Sequence, residues 1–283
     1  MTALRGQVVK MYSRLLGSST KRQYATIPKF VDILVNENTG VATLSINRPP
    51  VNSLNLDLIR DLNNSFKELE KSQCQGVILT STLPSVFSAG LDITELYNPD
   101  IKRFEALWDS LQDLWITLYG LSLPTAAAIN GASPAGGCLL AISCDYRVFV
   151  EGKGRLGLNE TSLGLIVPKW LHDTMTNIIG HRHSEISLLR GSLYSPAEAL
   201  KIGLVDELAS NKEDAIGKCE NYIESFAKIP LSAILATKQQ SRKATISWLE
   251  ENRNSDLKRF VESALQPHVQ KGLGAYIQSL KKK

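Results

Sequence analysis

Two short β-prone runs, Phe30 to Val35 and Val41 to Ile46, open the hydrophobic pattern and are separated by Asn36-Glu37-Asn38-Thr39-Gly40. Asn and Gly supply turn geometry, so the pair predicts a hairpin. Leu54, Leu58, Ile59, Leu62, Phe66 and Leu69 then recur at helical spacing, with Asn55 placed to cap and Asp57 in the first turn. Gly76 to Thr80 reads as a buried strand, followed by a helix over Phe104 to Leu121, an apolar strand Thr125 to Ile129 and a helix from Gly136 to Ser143. Strands are predicted over Asp145 to Val150 and Arg155 to Leu158, and only helices after them.

Ser195-Pro196-Ala197-Glu198 combines a serine cap, a proline in the first helical position and a glutamate three residues after the cap, which marks a helix start. Gly203 ends that helix. From Glu213 onward the pattern is helical and amphipathic, broken at Pro230 and Pro267, which predicts three helices attached to a mixed β/α core. Strand-strand-helix units recur weakly along the chain, and no low-complexity linker divides it. The expected fold class is α/β.

Composition narrows the function classes. With 43% hydrophobic and 21% charged residues in 283, the chain is neither disordered nor fibrous. No run approaches the roughly 18–20 apolar residues of a membrane-spanning helix, so integral membrane contact is not expected. Cys74, Cys138, Cys144 and Cys219 share no CxxC spacing, and the four histidines form no HExxH pattern, which argues against a disulfide framework and a structural metal.

The net charge of +4 is unevenly spread. Arg5, Lys10, Arg14, Lys21, Arg22 and Lys29 precede the first acidic residue, Asp32, so the chain from residue 32 onward carries a formal charge of −2. A near-neutral body lacks the basic face that nucleic-acid binding requires. The amino-terminal segment is basic, free of acidic residues and rich in hydroxyl and scattered apolar side chains, the composition of a mitochondrial transit peptide. Arg22-Gln23-Tyr24-Ala25 looks like a matrix-processing site, so residues 1–24 are expected to be removed and the mature chain to reside in the mitochondrial matrix.

Three segments carry candidate chemistry. Val86-Phe87-Ser88-Ala89-Gly90-Leu91-Asp92-Ile93 follows a strand, and its small residues let the main chain approach a ligand, although an ordinary turn gives the same run. Asn130-Gly131-Ala132-Ser133-Pro134-Ala135-Gly136-Gly137-Cys138 leads into a helix whose first amides are unpaired at the positive end of the dipole. Those amides suit a developing oxyanion; tight helix packing is the plainer reason for the glycines, and no GK[ST] follows to make a phosphate loop. In Leu156-Gly157-Leu158-Asn159-Glu160-Thr161-Ser162-Leu163-Gly164, Glu160 is a lone carboxylate among small and apolar neighbours. Burial there would raise its pKa and fit it to take a proton from carbon, while a surface loop glutamate is the commoner case.

Taken in order, these segments resemble the crotonase (enoyl-CoA hydratase/isomerase) family. The resemblance rests on Asn47-Arg48-Pro49, Asn52-Ser53-Leu54 and the runs FSAGLDI, INGASPAGGC, CDYRV, LGLNETSLGL and SPAEALKIGLVDEL. GLNET stands where hydratases typically carry a proline-glutamate pair, which turns the resemblance toward the isomerases. It implies a crotonase-like spiral of ββα units over residues 25–229 with a carboxy-terminal helical region, 230–283, that mediates homotrimer formation. It also implies an acyl-CoA substrate whose thioester oxygen is held by the Leu91 and Gly136 amides, with Ala89, Gly90, Asp92 and Ile93 lining the CoA site. Asn159 adjoins the catalytic position, and Glu160 matches the acid/base glutamate. No cofactor is implied beyond the coenzyme A of the substrate.

One departure bears on the reaction. Hydratases carry a second glutamate two residues after the paired glycines, where this chain has Leu139. Hydration uses one carboxylate to activate water and another to deliver a proton, whereas moving a double bond needs one shuttle. The expected reaction is isomerisation of cis- or trans-3-enoyl-CoA to trans-2-enoyl-CoA in the oxidation of unsaturated fatty acids. Its rivals are hydratase or another crotonase activity, and a non-catalytic or RNA-binding homologue. Trp108, Trp115 and Trp170 are read as core, Cys138 and Cys144 as buried and inert, His181 and His183 as structural or solvated, and Lys281-Lys282-Lys283 as a solvated end.

Overall fold

The computed structural model describes residues 29–280; the amino-terminal segment with its expected processing site, and Lys281 to Lys283, lie outside the described residues. Strands β1 (Val31–Val35) and β2 (Val41–Ile46) form the expected antiparallel hairpin, and helix α1 (Leu56–Glu70) returns the chain to β3 (Gly76–Ser81). Asn55 caps α1 by accepting from the Leu58 N–H. A 3-10 turn (Ile93–Glu95) and helix α2 (Ile101–Tyr119) lead to β4 (Thr125–Ile129), a two-residue strand β5 (Ser133–Pro134) and helix α3 (Gly136–Ser143). Next come β6 (Tyr146–Val150), the short β7 (Leu156–Gly157) and a second 3-10 turn (Glu160–Leu163). Helices α4 (Lys169–Ile179), α5 (His181–Arg190) and α6 (Pro196–Lys201) precede β8 (Glu207–Ala209), and α7 (Lys212–Glu224), α8 (Leu231–Ala264) and α9 (Pro267–Leu280) complete the described chain.

The main sheet has the order β1-β2-β3-β4-β6-β8, parallel except for the first pair. Both faces are covered. Ala127 and Ile129 of β4 belong to the larger core with α1 and α2, while Ala126 and Ala128 pack with Ala215, Cys219 and Ile223 of α7 on the other face. This double burial explains why β3 and β4 read as continuous apolar runs and not as alternating ones.

The expectation of helices alone after residue 158 is corrected by β8, which pairs in parallel with β6. Three residues are too few to carry a period-two signal. Their register is set instead by Arg147, whose N–H and guanidinium both bind the Asp206 carboxylate, at 2.8 Å and 2.9 Å. The strand expected over Arg155 to Leu158 shortens to β7, and it pairs with β5 outside the main sheet.

The late helices pack on the same core. Phe260 of α8 stacks on Trp108 of α2 with ring centroids 3.4 Å apart, and the buried Asp256 carboxylate accepts from Trp108, Trp170 and Gln112. Trp108, Trp115 and Trp170 are buried, as expected of core. His181 and His183 are exposed at the start of α5, Cys138 and Cys144 are buried free thiols, and Ser195 and Glu198 form the capping box at α6.

Candidate active site

The donor loop is built on two hinges of hydrogen bonds. Leu54 N–H donates to Gly90 O at 2.8 Å and Asp92 N–H to Leu54 O at 3.0 Å, a one-residue parallel bridge that holds Leu91 between them. Ser88 Oγ donates to Asn52 O and accepts from the Gly90 N–H, which fixes the turn before it. Within this scaffold the Leu91 N–H has no acceptor among the described residues. Gly90 is required twice over: its φ of +84° lies in the left-handed region, and a Cβ there would stand 3.0 Å from Gly136 N.

The second loop places α3 against the first. Ala135 N–H donates to Gly157 O at 2.8 Å, and Ser133 pairs with Leu156 in the small sheet, so this loop is tied to the segment that carries Glu160. Ala135 itself sits at φ 48°, ψ −118°, a conformation costly for a residue with a Cβ, on the order of 1–3 kcal/mol. The distortion turns the chain into α3, whose first amide, Gly136 N–H, also lacks an acceptor among the described residues. A Cβ at Gly136 would lie 3.3 Å from Leu91 N, so the two free amides are neighbours. At Gly137 a Cβ would fall 2.3 Å from Ser88 O, which shows how closely α3 meets the first loop. The glycines therefore serve close packing and, through it, bring the donors together.

Glu160 begins the second 3-10 turn, which ends on the left-handed Gly164. The residue keeps some exposed surface, yet its Oε2 is buried without a hydrogen-bond partner. Burial disfavours the charged form and pushes its pKa up to about 7, with a hydrogen bond from its own backbone acting weakly in the other direction. In the first turn of α3, burial raises the Cys138 thiol pKa well above its ordinary value, and the Glu160 charge raises it further. The loop of the two free amides and the segment that carries Glu160 are thus tied together by main-chain bonds. Such a constellation can remove a proton from a carbon next to a carbonyl and hold the resulting oxyanion.

A family profile described as Enoyl-CoA hydratase/isomerase matches residues 36–283. The chain belongs to the enoyl-CoA hydratase/isomerase family. Among curated relatives it is 42% identical over 247 residues to the Mus musculus "Enoyl-CoA delta isomerase 1, mitochondrial", covering 86% of this chain and 85% of that protein. It is 43% identical to the Homo sapiens protein of the same name over 244 residues, 86% of this chain and 80% of that one. The crystal structure of human mitochondrial delta3-delta2-enoyl-CoA isomerase superposes with a TM-score of 0.87 at 42% identity, covering 90% of this chain and 99% of that one. An enoyl-CoA hydratase structure from Bacillus halodurans, 21% identical with a TM-score of 0.79 over 87% of this chain and all of that one, shares the fold. The crotonase fold expected from the sequence is thereby established.

The remaining family-implied positions divide by environment. Ala89 N–H is taken by Val51 O, and the Asp92 carboxylate is held by Arg48 at 2.9 Å and by the N–H and hydroxyl of Thr94. Ile93 is half-buried at the start of its turn, and Asn159 is half-buried with no cap bond from its side chain. Leu139 is 1% exposed in the first turns of α3. Sequence reasoning missed the braces: Arg48, which also donates to Ser53 O and Oγ, Asn52, which donates to Ser81 Oγ and Phe87 O, and Gln270 of α9. Arg48 and Asn52 lie in motifs visible in the sequence, but nothing local gives their partners. Among the described residues no group of His, Cys, Asp or Glu is arranged to hold a metal, and no helix is long and apolar enough to cross a membrane.

Proposed function

We propose that this protein converts cis- or trans-3-enoyl-CoA into trans-2-enoyl-CoA. The observation that carries the reading is Glu160, whose buried Oε2 has no hydrogen-bond partner and whose segment is tied through Ala135 N–H and Gly157 O to the loop that carries the free Gly136 amide, itself beside the free Leu91 amide. The delta-isomerase names of relatives above 40% identity support it. Glu160 takes a proton from C2 of the substrate, and the electron pair moves through C1 onto the thioester oxygen. The Leu91 and Gly136 N–H groups bind that oxygen in the dienolate, each worth about 3 kcal/mol of barrier. Protonated Glu160 then delivers its proton to C4, leaving the double bond between C2 and C3. The carboxylate is regenerated and nothing is oxidised or reduced, so the substrate's own coenzyme A is the only carrier this scheme uses.

Substrate contacts are assigned to main chain more than to side chains: Ala89, Gly90, Leu91, Asp92, Ile93, Gly136 and Asn159 shape the thioester and CoA side. The Asp92 carboxylate is engaged by Arg48 and Thr94, so its part is to hold the loop. Removal of the basic leader, residence in the matrix and assembly into a homotrimer belong to the same proposal. The first two draw support from the leader's composition and from relatives named as mitochondrial. A spectrophotometric assay of the purified protein on 3-hexenoyl-CoA, run beside hydration of a 2-enoyl-CoA, tests the reading. Isomerisation well above hydration is expected; comparable rates would return the protein to the hydratases.

A further inference from the structure

Helix α9 touches both halves of the candidate site. On the base side, the Gly164 position at the end of the Glu160 turn lies against His268 and Val269, and Gly272 packs toward Leu163 O. On the donor side, the side-chain amide of Gln270 donates to Leu96 O at 2.9 Å and accepts from Asn98 N–H at 2.9 Å. The same Nε2 donates to Ala264 O, the last carbonyl of α8, at 2.8 Å. Four residues further along α9, a Cβ at Gly274 would collide with the Tyr97 ring at 2.9 Å, so α9 can lie this close only because glycine stands there.

Leu96 closes the 3-10 turn that Asp92 caps, and Asp92 directly follows Leu91. The turn is short and braced at its start by Arg48. Its far end is held by one amide group that supplies both a donor and an acceptor, which neither a carboxylate nor an amine can do. Resting on the isomerase reading above, we propose that Gln270 is a positioning residue for the reaction, latching α9 across the Leu91 donor loop and the Glu160 turn so that donor and base keep a fixed separation. Gln270 reaches neither donor nor base among its recorded partners and acts through Leu96 and Asn98. Misplacement of reacting groups by about 1 Å costs as much as a hundredfold in rate, so a loosened latch is expected to show in turnover before it shows in binding.

The test is Gln270→Met, which keeps length, helix propensity and volume while removing all three hydrogen bonds. Its kcat on 3-hexenoyl-CoA should fall about tenfold or more with KM changed less than about threefold. Its unfolding midpoint should move by only about 2–4 °C, and amide hydrogen exchange should rise in residues 91–98 and 160–164 but not in the central strands. An unchanged kcat in an active preparation overturns the proposal. So does a loss of kcat that follows loss of folded protein, because helix docking alone explains it. A wild type that does not isomerise sinks the functional reading and Gln270's role in it together, whereas an active wild type with an indifferent variant sinks the latch alone.

Discussion

Glu160 combines two properties that a surface glutamate lacks, a buried oxygen without a partner and a pKa pushed up to about 7. With the ionised form as the proposed base, kcat/KM should fall about tenfold per pH unit below about 7, as a pH-rate profile would show. Glu160→Gln should retain acyl-CoA binding while turnover drops by several orders of magnitude, measured by calorimetry and assay. The same shift affects stability. Because the folded pKa is raised, the group's stabilising contribution is fully present below the ordinary carboxylate range and is lost as pH rises through about 7. Glu160→Gln should therefore unfold at higher urea than wild type near pH 9, by roughly 1–3 kcal/mol, and match it near pH 4. Leu139 gives a second test at this scale. If its apolar side chain keeps water from the dienolate, Leu139→Glu should introduce measurable hydration of 2-enoyl-CoA and lower isomerisation, since two nearby carboxylates disturb each other's ionisation.

At the scale of elements, α3 and α8 play different parts. The start of α3 sets the free Leu91 and Gly136 amides side by side through a strained Ala135 and two glycines that let the loops meet. Helix α8 is docked by Asp256, whose buried carboxylate takes two indole N–H groups and one amide from α2 and α4. Replacing it by alanine strands three buried donors, each costing on the order of 1–3 kcal/mol when unsatisfied. Asp256→Ala should thus lose several kcal/mol in urea unfolding, and Asp256→Asn, which keeps an acceptor, should lose less.

For the whole molecule, α8 and α9 are part of the core: Leu249, Phe260, Val261, Val269 and Leu273 are buried with the residues of α1 and α2. Truncation at Pro230 would uncover Trp108 and the α2 face beneath it, so an insoluble or monomeric, inactive chain is expected. Sedimentation of the full protein should give a trimer; a soluble, active trimer from the truncated chain would remove these helices from assembly. The latch at Gln270 assigns α9 a second task, holding the site of its own chain, which the same truncation also abolishes.

What the sequence determined by itself was local. The hairpin, the cap at Asn55, strand β4, helix α3 and the box at Ser195 are set by residues within a few positions of one another, and their spacing in sequence is their spacing in space. The order of the glycine-rich loops and the Glu160 segment was legible as a family pattern, and the missing carboxylate at Leu139 could be read directly. Tertiary structure decided the rest, because it depends on groups far apart along the chain. Strand β8 is held by an ion pair between Arg147 and Asp206, and α9 meets Leu96 through a contact spanning 174 residues. Whether Leu91 and Gly136 keep free N–H groups depends on every carbonyl that packs nearby. The Glu160 pKa depends likewise on how much water its neighbours exclude, and burial around a site is a property of the assembled fold.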